Sequence, residues 1–272
     1  MPHATGHWAL PIRGILQTVR CCRFLGGRTP APMKEQTVRW YTPHLSRDFE
    51  MLTFGTTGYP VIAFPTSLGR HTQNRDFKLI DSAAHLVDAG KVKIYCPDGI
   101  DEQSWYNRAI SPADRVRTHM AYEQVILLEV VARAQQETGQ PRVAVVGAGF
   151  GGYHAMNFAL RYPDRTGYCI TMSGSFDIRS FLDGHYDEDC YFNNPVDYLP
   201  KLNDPGFLGH LRHMGIVLGT GDRDGCRDRN HEFSRLLTAK GIPHFLDDRK
   251  WCGHDWTDWR NMFPYYLSLI HS

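Results

Sequence analysis

The stretch RVAVVGAGFGGYHAMNF, residues 142–158, offers two incompatible chemistries. Gly147-x-Gly149-x-x-Gly152 after an apolar run has the spacing of a loop that cradles a dinucleotide pyrophosphate at a helix N-terminus. The same residues, Gly147-Ala148-Gly149-Phe150-Gly151, also spell a nucleophile elbow, G-x-S-x-G, with glycine where the serine belongs.

Each reading makes a further demand. A dinucleotide site wants an Asp or Glu roughly 20 residues past the glycines, at the end of the next strand, to hold a ribose hydroxyl. That strand, GYCITM, ends in Ser173-Gly174. The nearest acids are Asp164, before it, and Asp177, in the loop beyond. The glycines also follow several strands, whereas such sites usually open a domain. An elbow wants an acid and then a histidine, each on a loop after a later strand. GIVLGTG is followed by Asp222 and Asp224, and PHFLDDRK is followed by WCGHDW, which presents His254 in a glycine-flanked turn. The order agrees with acyl transfer.

The elements that must position these residues alternate along the chain. TVRWYTP (37–43) and RDFEMLTFG (47–55) read as short antiparallel strands. PVIAFPTS (60–67) is a continuous apolar run, the pattern of a strand buried on both faces. A helix is expected at about 76–89, a strand at VKIYCP (92–97), and a long helix at about 112–137 started by Ser111-Pro112. Strands RVAVVG, GYCITMSG, GIVLGTG and PHFLDDRK follow with helices between them. The pattern predicts an α/β fold with a doubly wound, mostly parallel sheet and antiparallel N-terminal strands.

Composition narrows the function classes. The net charge of +1 gives no electrostatic case for nucleic acid. No apolar run reaches the roughly 18 residues of a membrane span. Seven cysteines without a C-x-x-C pair argue against a metal framework and for reduced thiols in a cytoplasmic protein. No metal and no cofactor are expected. Residues 1–32 hold four arginines, no acid and no serine. They read as a disordered extension, or as a start upstream of a true start at Met33. The folded domain is then 33–272.

RWYTPHLSRDFEMLTFG, PVIAFPTSLGR, SWYNR, GFGGYHAMNFALRYPD, MSGSFDIR, YFNNPVDYLP, KGIPHFLDD and GHDWTDWRNMFPYYL together resemble the esterase family of the α/β-hydrolase superfamily that includes S-formylglutathione hydrolase and the mycolyltransferases. The resemblance covers residues 33–272 and implies an α/β-hydrolase fold acting on a small acyl ester or thioester. It implies Asp224 as the triad acid, with Asp222 as the other choice, and His254 as the base. It implies oxyanion donors at the backbone N–H of Phe150 and near Ser67 or Leu68. Trp105 and Tyr106 of SWYNR would line an acyl pocket or pack in the core. A homo-oligomer is compatible with all of this.

The nucleophile position falls on Gly149, and no acyl-enzyme forms without a hydroxyl. An elbow holds its central residue at positive φ, which glycine adopts freely, so glycine there should stabilise the fold by about 0.5–2 kcal/mol while removing the chemistry. Three readings follow: a pseudoenzyme that binds without cleaving, a hydrolase in which His254 activates a water, or a variant of an active serine esterase. The dinucleotide-binding protein is the remaining alternative.

Overall fold

The computed structural model describes residues 33–271. The expectation for residues 1–32 lies outside them. Eight strands form one sheet: β1 (Glu35–Thr42), β2 (Arg47–Phe54), β3 (Tyr59–Phe64), β4 (Val92–Pro97), β5 (Val143–Ala148), β6 (Thr166–Met172), β7 (Gly215–Arg223) and β8 (Phe245–Gly253). Their order across the sheet is β1-β2-β4-β3-β5-β6-β7-β8. β1 and β2 pair antiparallel, as do β2 and β4, and every later pairing is parallel. The strand pattern predicted the doubly wound sheet with its antiparallel N-terminal strands, and this order is the α/β-hydrolase arrangement that the family resemblance implied.

The central strands explain their own sequences. β3 and β5 are buried at every position, so neither face needs a polar residue, and both read as unbroken apolar runs. Val61, Ala63, Ala144 and Val146 face one layer of the core, while Ile62, Phe64, Val143 and Val145 face the other. β1 has water on one side and alternates accordingly.

Two helices differ from expectation. The 76–89 segment is three short pieces, Gln73–Asp76, Leu79–Ser82 and Ala84–Asp88. Lys78 sits between the first two at φ +63, a left-handed conformation no helix continues through. The long helix starts where Ser111-Pro112 placed it, with Ser111 Oγ accepting the Asp114 N–H at 3.1 Å. It then passes from α (Pro112–Val125) through a π-helical stretch (Ile126–Val131) and back to α (Ala132–Thr138). Among the described residues no helix is long and apolar enough to cross a membrane.

Candidate active site

β5 delivers Gly149 to the C-terminal edge of the sheet, and the buried helix Phe150–Arg161 leaves from it. Gly149 has φ +55 and ψ −120, the sharp strand-to-helix turn that would aim a side chain out of the sheet. The other glycines are fixed by packing. A Cβ on Gly147 would run into the Gly151 carbonyl, and one on Gly151 into the Pro65 carbonyl. One on Gly152 would lie 2.9 Å from Gly174 Cα. The spacing that resembles a phosphate cradle is therefore accounted for by close crossing of β3, β5 and the helix.

Gly149 is different. A Cβ there would stand 3.3 Å from His254 Nε2 and 4.0 Å from Trp259 Cη2, at the edge of space rather than inside backbone. His254 follows the end of β8 and is held from both sides. Behind it, the Gly253 N–H donates to Asp258 Oδ2 at 2.6 Å. Ahead of it, Asp255 caps the helix Trp256–Leu267 by accepting the Thr257 and Asp258 N–H groups at 2.7 and 3.2 Å. The Trp259 ring lies edge-on to the imidazole, 5.1 Å away, and its own N–H donates to Ser173 Oγ at 3.0 Å.

The carboxylate beside His254 belongs to Asp224. His254 Nδ1 lies 3.0 Å from Asp224 Oδ1. Asp222 accepts the Trp251 N–H instead, at 2.7 Å, and ties β7 to β8. Asp224 is buried and accepts two more hydrogen bonds, from Thr220 Oγ1 at 2.9 Å and the Cys226 N–H at 2.8 Å. Burial pushes its carboxyl up, but the hydrogen bonds from His254, Ser173, Cys226 and Thr220 outweigh that and hold it at about 2. Asp224 and then the Cys226 side chain raise His254 to about 9. The two shifts are the two sides of one pairing, which leaves Nε2 aimed at Gly149.

The backbone N–H groups expected around an oxyanion are placed less simply. Phe150 opens its helix, so its N–H has no partner within the helix. The Leu68 N–H is taken. It donates to Asp101 Oδ2 at 3.0 Å, while Asp101 Oδ1 lies 3.0 Å from His154 Nε2. Asp101 and His154 are both buried, and Leu68 itself sits at φ +58. Ser67 lies half-buried beside it. Nothing in the local sequence marks Asp101, which is 33 residues from Leu68 and 53 from His154.

Trp105 departs from the acyl-pocket reading. It is fully buried and packs on His119, Tyr153 and Phe181, so it belongs to the core. A tryptophan and a tyrosine side by side look alike in sequence, and burial separates them: Tyr106 is half-buried, with its ring edge-on to Phe150. A cavity of about 400 Å³ adjoins the Leu68 loop and is lined by Leu68, Arg70, Asp98 and Asp101 among others.

An aspartate–histidine pair, a strand-to-helix elbow and this strand order define the α/β-hydrolase class. The family model described as "Putative esterase" matches residues 54–268, and the chain belongs to that family. Solved structures with the same fold include a ferulic acid esterase (19% identity, TM-score 0.70, 87% of this chain and 96% of the other). They also include the S-formylglutathione hydrolase of Staphylococcus aureus (14%, 0.69, 88% and 98%) and Mycobacterium tuberculosis MPT51 (15%, 0.65, 88% and 97%). No curated protein sequence matches the chain.

Proposed function

We propose that this member of the esterase family binds a small carboxylic ester or thioester and does not cleave it through a serine, because Gly149 occupies the nucleophile position. The observation that carries the reading is the elbow itself: backbone at φ +55 and ψ −120, with His254 Nε2 facing a residue that has no side chain. In this reading Asp224 orients His254, and the Phe150 N–H receives the ester carbonyl oxygen. The Leu68 N–H, with Ser67 beside it, is the second donor once Asp101 releases it. Tyr106 borders the acyl group.

The water-based alternative asks His254 to take a proton from a water lodged at Gly149. The dinucleotide alternative has no support from the glycines, whose packing explains them, nor from β6, which ends without an acid.

The test is hydrolysis of a short p-nitrophenyl ester by the unaltered chain and by His254→Ala at neutral pH. Equal rates, both near background, support the reading. Turnover that His254→Ala removes would establish the water mechanism instead. Binding is measured separately by titration with non-hydrolysable acyl thioether analogues, and with NAD, NADP and FAD as comparisons. Micromolar affinity for a dinucleotide would overturn the ester reading.

A further inference from the structure

Cys226 opens the helix Arg227–Ala239, two residues beyond Asp224. Its sulfur lies within 4.8 Å of a ring nitrogen of His254 and a carboxylate oxygen of Asp224, and His254 Nδ1 and Asp224 Oδ1 are 3.0 Å apart. One thiol, one imidazole and one carboxylate thus converge on a single point. From this convergence we infer that Asp224, Cys226 and His254 form a binding site for one zinc-class divalent cation.

The donor set suits that class. Borderline-soft cations accept nitrogen, sulfur and carboxylate oxygen together at about 2.0–2.3 Å, with tetrahedral angles. Such a geometry separates neighbouring ligand atoms by roughly 3.3–3.7 Å. His254 Nδ1 and Asp224 Oδ1, 3.0 Å apart, are already close to this. The Cys226 sulfur, within 4.8 Å of both, would move closer to complete the set. Three protein ligands leave a fourth position open. Cys226 is only partly buried, which gives the cation a way in.

The surroundings also fit. Ligating carboxylates are held by partners of their own, and Asp224 has Thr220 Oγ1 at 2.9 Å and the Cys226 N–H at 2.8 Å. Charge balance is straightforward: the thiol and imidazole Nδ1 each give up a proton to solvent as the cation enters. His254 Nε2 stays turned toward Gly149. Sequence spacing hides the site, since its ligands come from two loops and contain no C-x-x-C. The cation would take over the Asp224–His254 contact that the proposed function uses, but the metal test reads neither ester binding nor turnover, so the two readings fail separately.

The experiment titrates the full chain, stripped with EDTA, with Co²⁺ and then Zn²⁺. One equivalent of Co²⁺ should give a tetrahedral visible spectrum with a thiolate-to-cobalt charge-transfer band, and Zn²⁺ should displace it. Cys226→Ser should lose that band and bind Zn²⁺ at least about tenfold more weakly, while melting in EDTA with the unaltered chain. Cys190→Ser is the control, because His185, Asp187 and Cys190 form a second such cluster. A parallel measurement needs no variant: Zn²⁺ should slow alkylation of Cys226 by iodoacetamide, read by mass spectrometry, at least about tenfold. The inference is overturned if no charge-transfer band forms, if the band survives Cys226→Ser, or if Zn²⁺ leaves Cys226 alkylation unchanged.

Discussion

A Cβ on Gly149 would stand 3.3 Å from His254 Nε2, so the acid–base pair is aimed at an atom the chain does not have. Gly149→Ser supplies it. The variant should hydrolyse a p-nitrophenyl ester several orders of magnitude faster than the unaltered chain, because a nucleophile and its base act as one unit. His254→Ala in the serine background should remove the gain. Silence of the serine variant on a broad ester and thioester panel would show that the rest of the pocket has diverged.

The elbow glycines should separate sharply in stability. Gly149→Ala meets mainly its positive φ and a slight crowding of His254, a cost of about 1–3 kcal/mol. Gly147→Ala and Gly151→Ala push a methyl group into backbone carbonyls that cannot move aside. Both should cost more than Gly149→Ala and give little folded protein. Urea unfolding of the three variants ranks them. Equal costs would mean that the turn is looser than the packing indicates.

The Asp224–His254 pair sets a pH window. Asp224 titrates at about 2 in the fold against an ordinary 3.8, so its contribution is complete above 3.8 and is lost as pH falls through about 2. His254 titrates at about 9 against 6.5, so its contribution is complete below 6.5 and is lost as pH rises through about 9. The stability difference between the unaltered chain and His254→Ala should therefore be largest between pH 3.8 and 6.5 and decline toward pH 9. A difference that grows with alkalinity contradicts the pairing.

Asp101 holds the Leu68 N–H and His154 together. Asp101→Ala leaves a buried imidazole without its partner and should cost about 1–3 kcal/mol, or roughly 2–4 °C of melting temperature per kcal/mol. In the Gly149→Ser background the same change frees the Leu68 N–H for a developing oxyanion. Turnover should then rise, by up to about a hundredfold if that donor is fully engaged. A fall in turnover with unchanged melting would mean that Asp101 aligns the loop for catalysis.

Much of this was legible in the sequence because the signals were local. β3, β5 and β7 are buried apolar runs, and Gly147 through Gly152 lie within one turn of chain. Ser111-Pro112 marked a helix start by its own capping chemistry. Strand order brought His254 to the loop holding Asp222 and Asp224, and the family resemblance pointed to Asp224 of the two, the one His254 pairs with. The signals that failed were those of depth and distance. Burial of Trp105 depends on Tyr153 and Phe181, far away in sequence. The link from Leu68 through Asp101 to His154 joins three separate segments. The break at Lys78 leaves no mark, since lysine is an ordinary helix former.

The turn at Gly149 is fixed by its neighbours: Gly147 against Gly151, Gly151 against Pro65, and Gly152 against Gly174. Residue 149 itself does not hold the shape. A glycine and a serine codon can differ by one base, so a lineage with this fold can cross between silent and reactive forms in one mutational step, without rebuilding the scaffold. The packing that sets the turn and the side chain that would supply the chemistry belong here to different residues. On the binding-only reading proposed above, the reactive geometry outlasts the reaction, and the chain remains a ready starting point for regaining it.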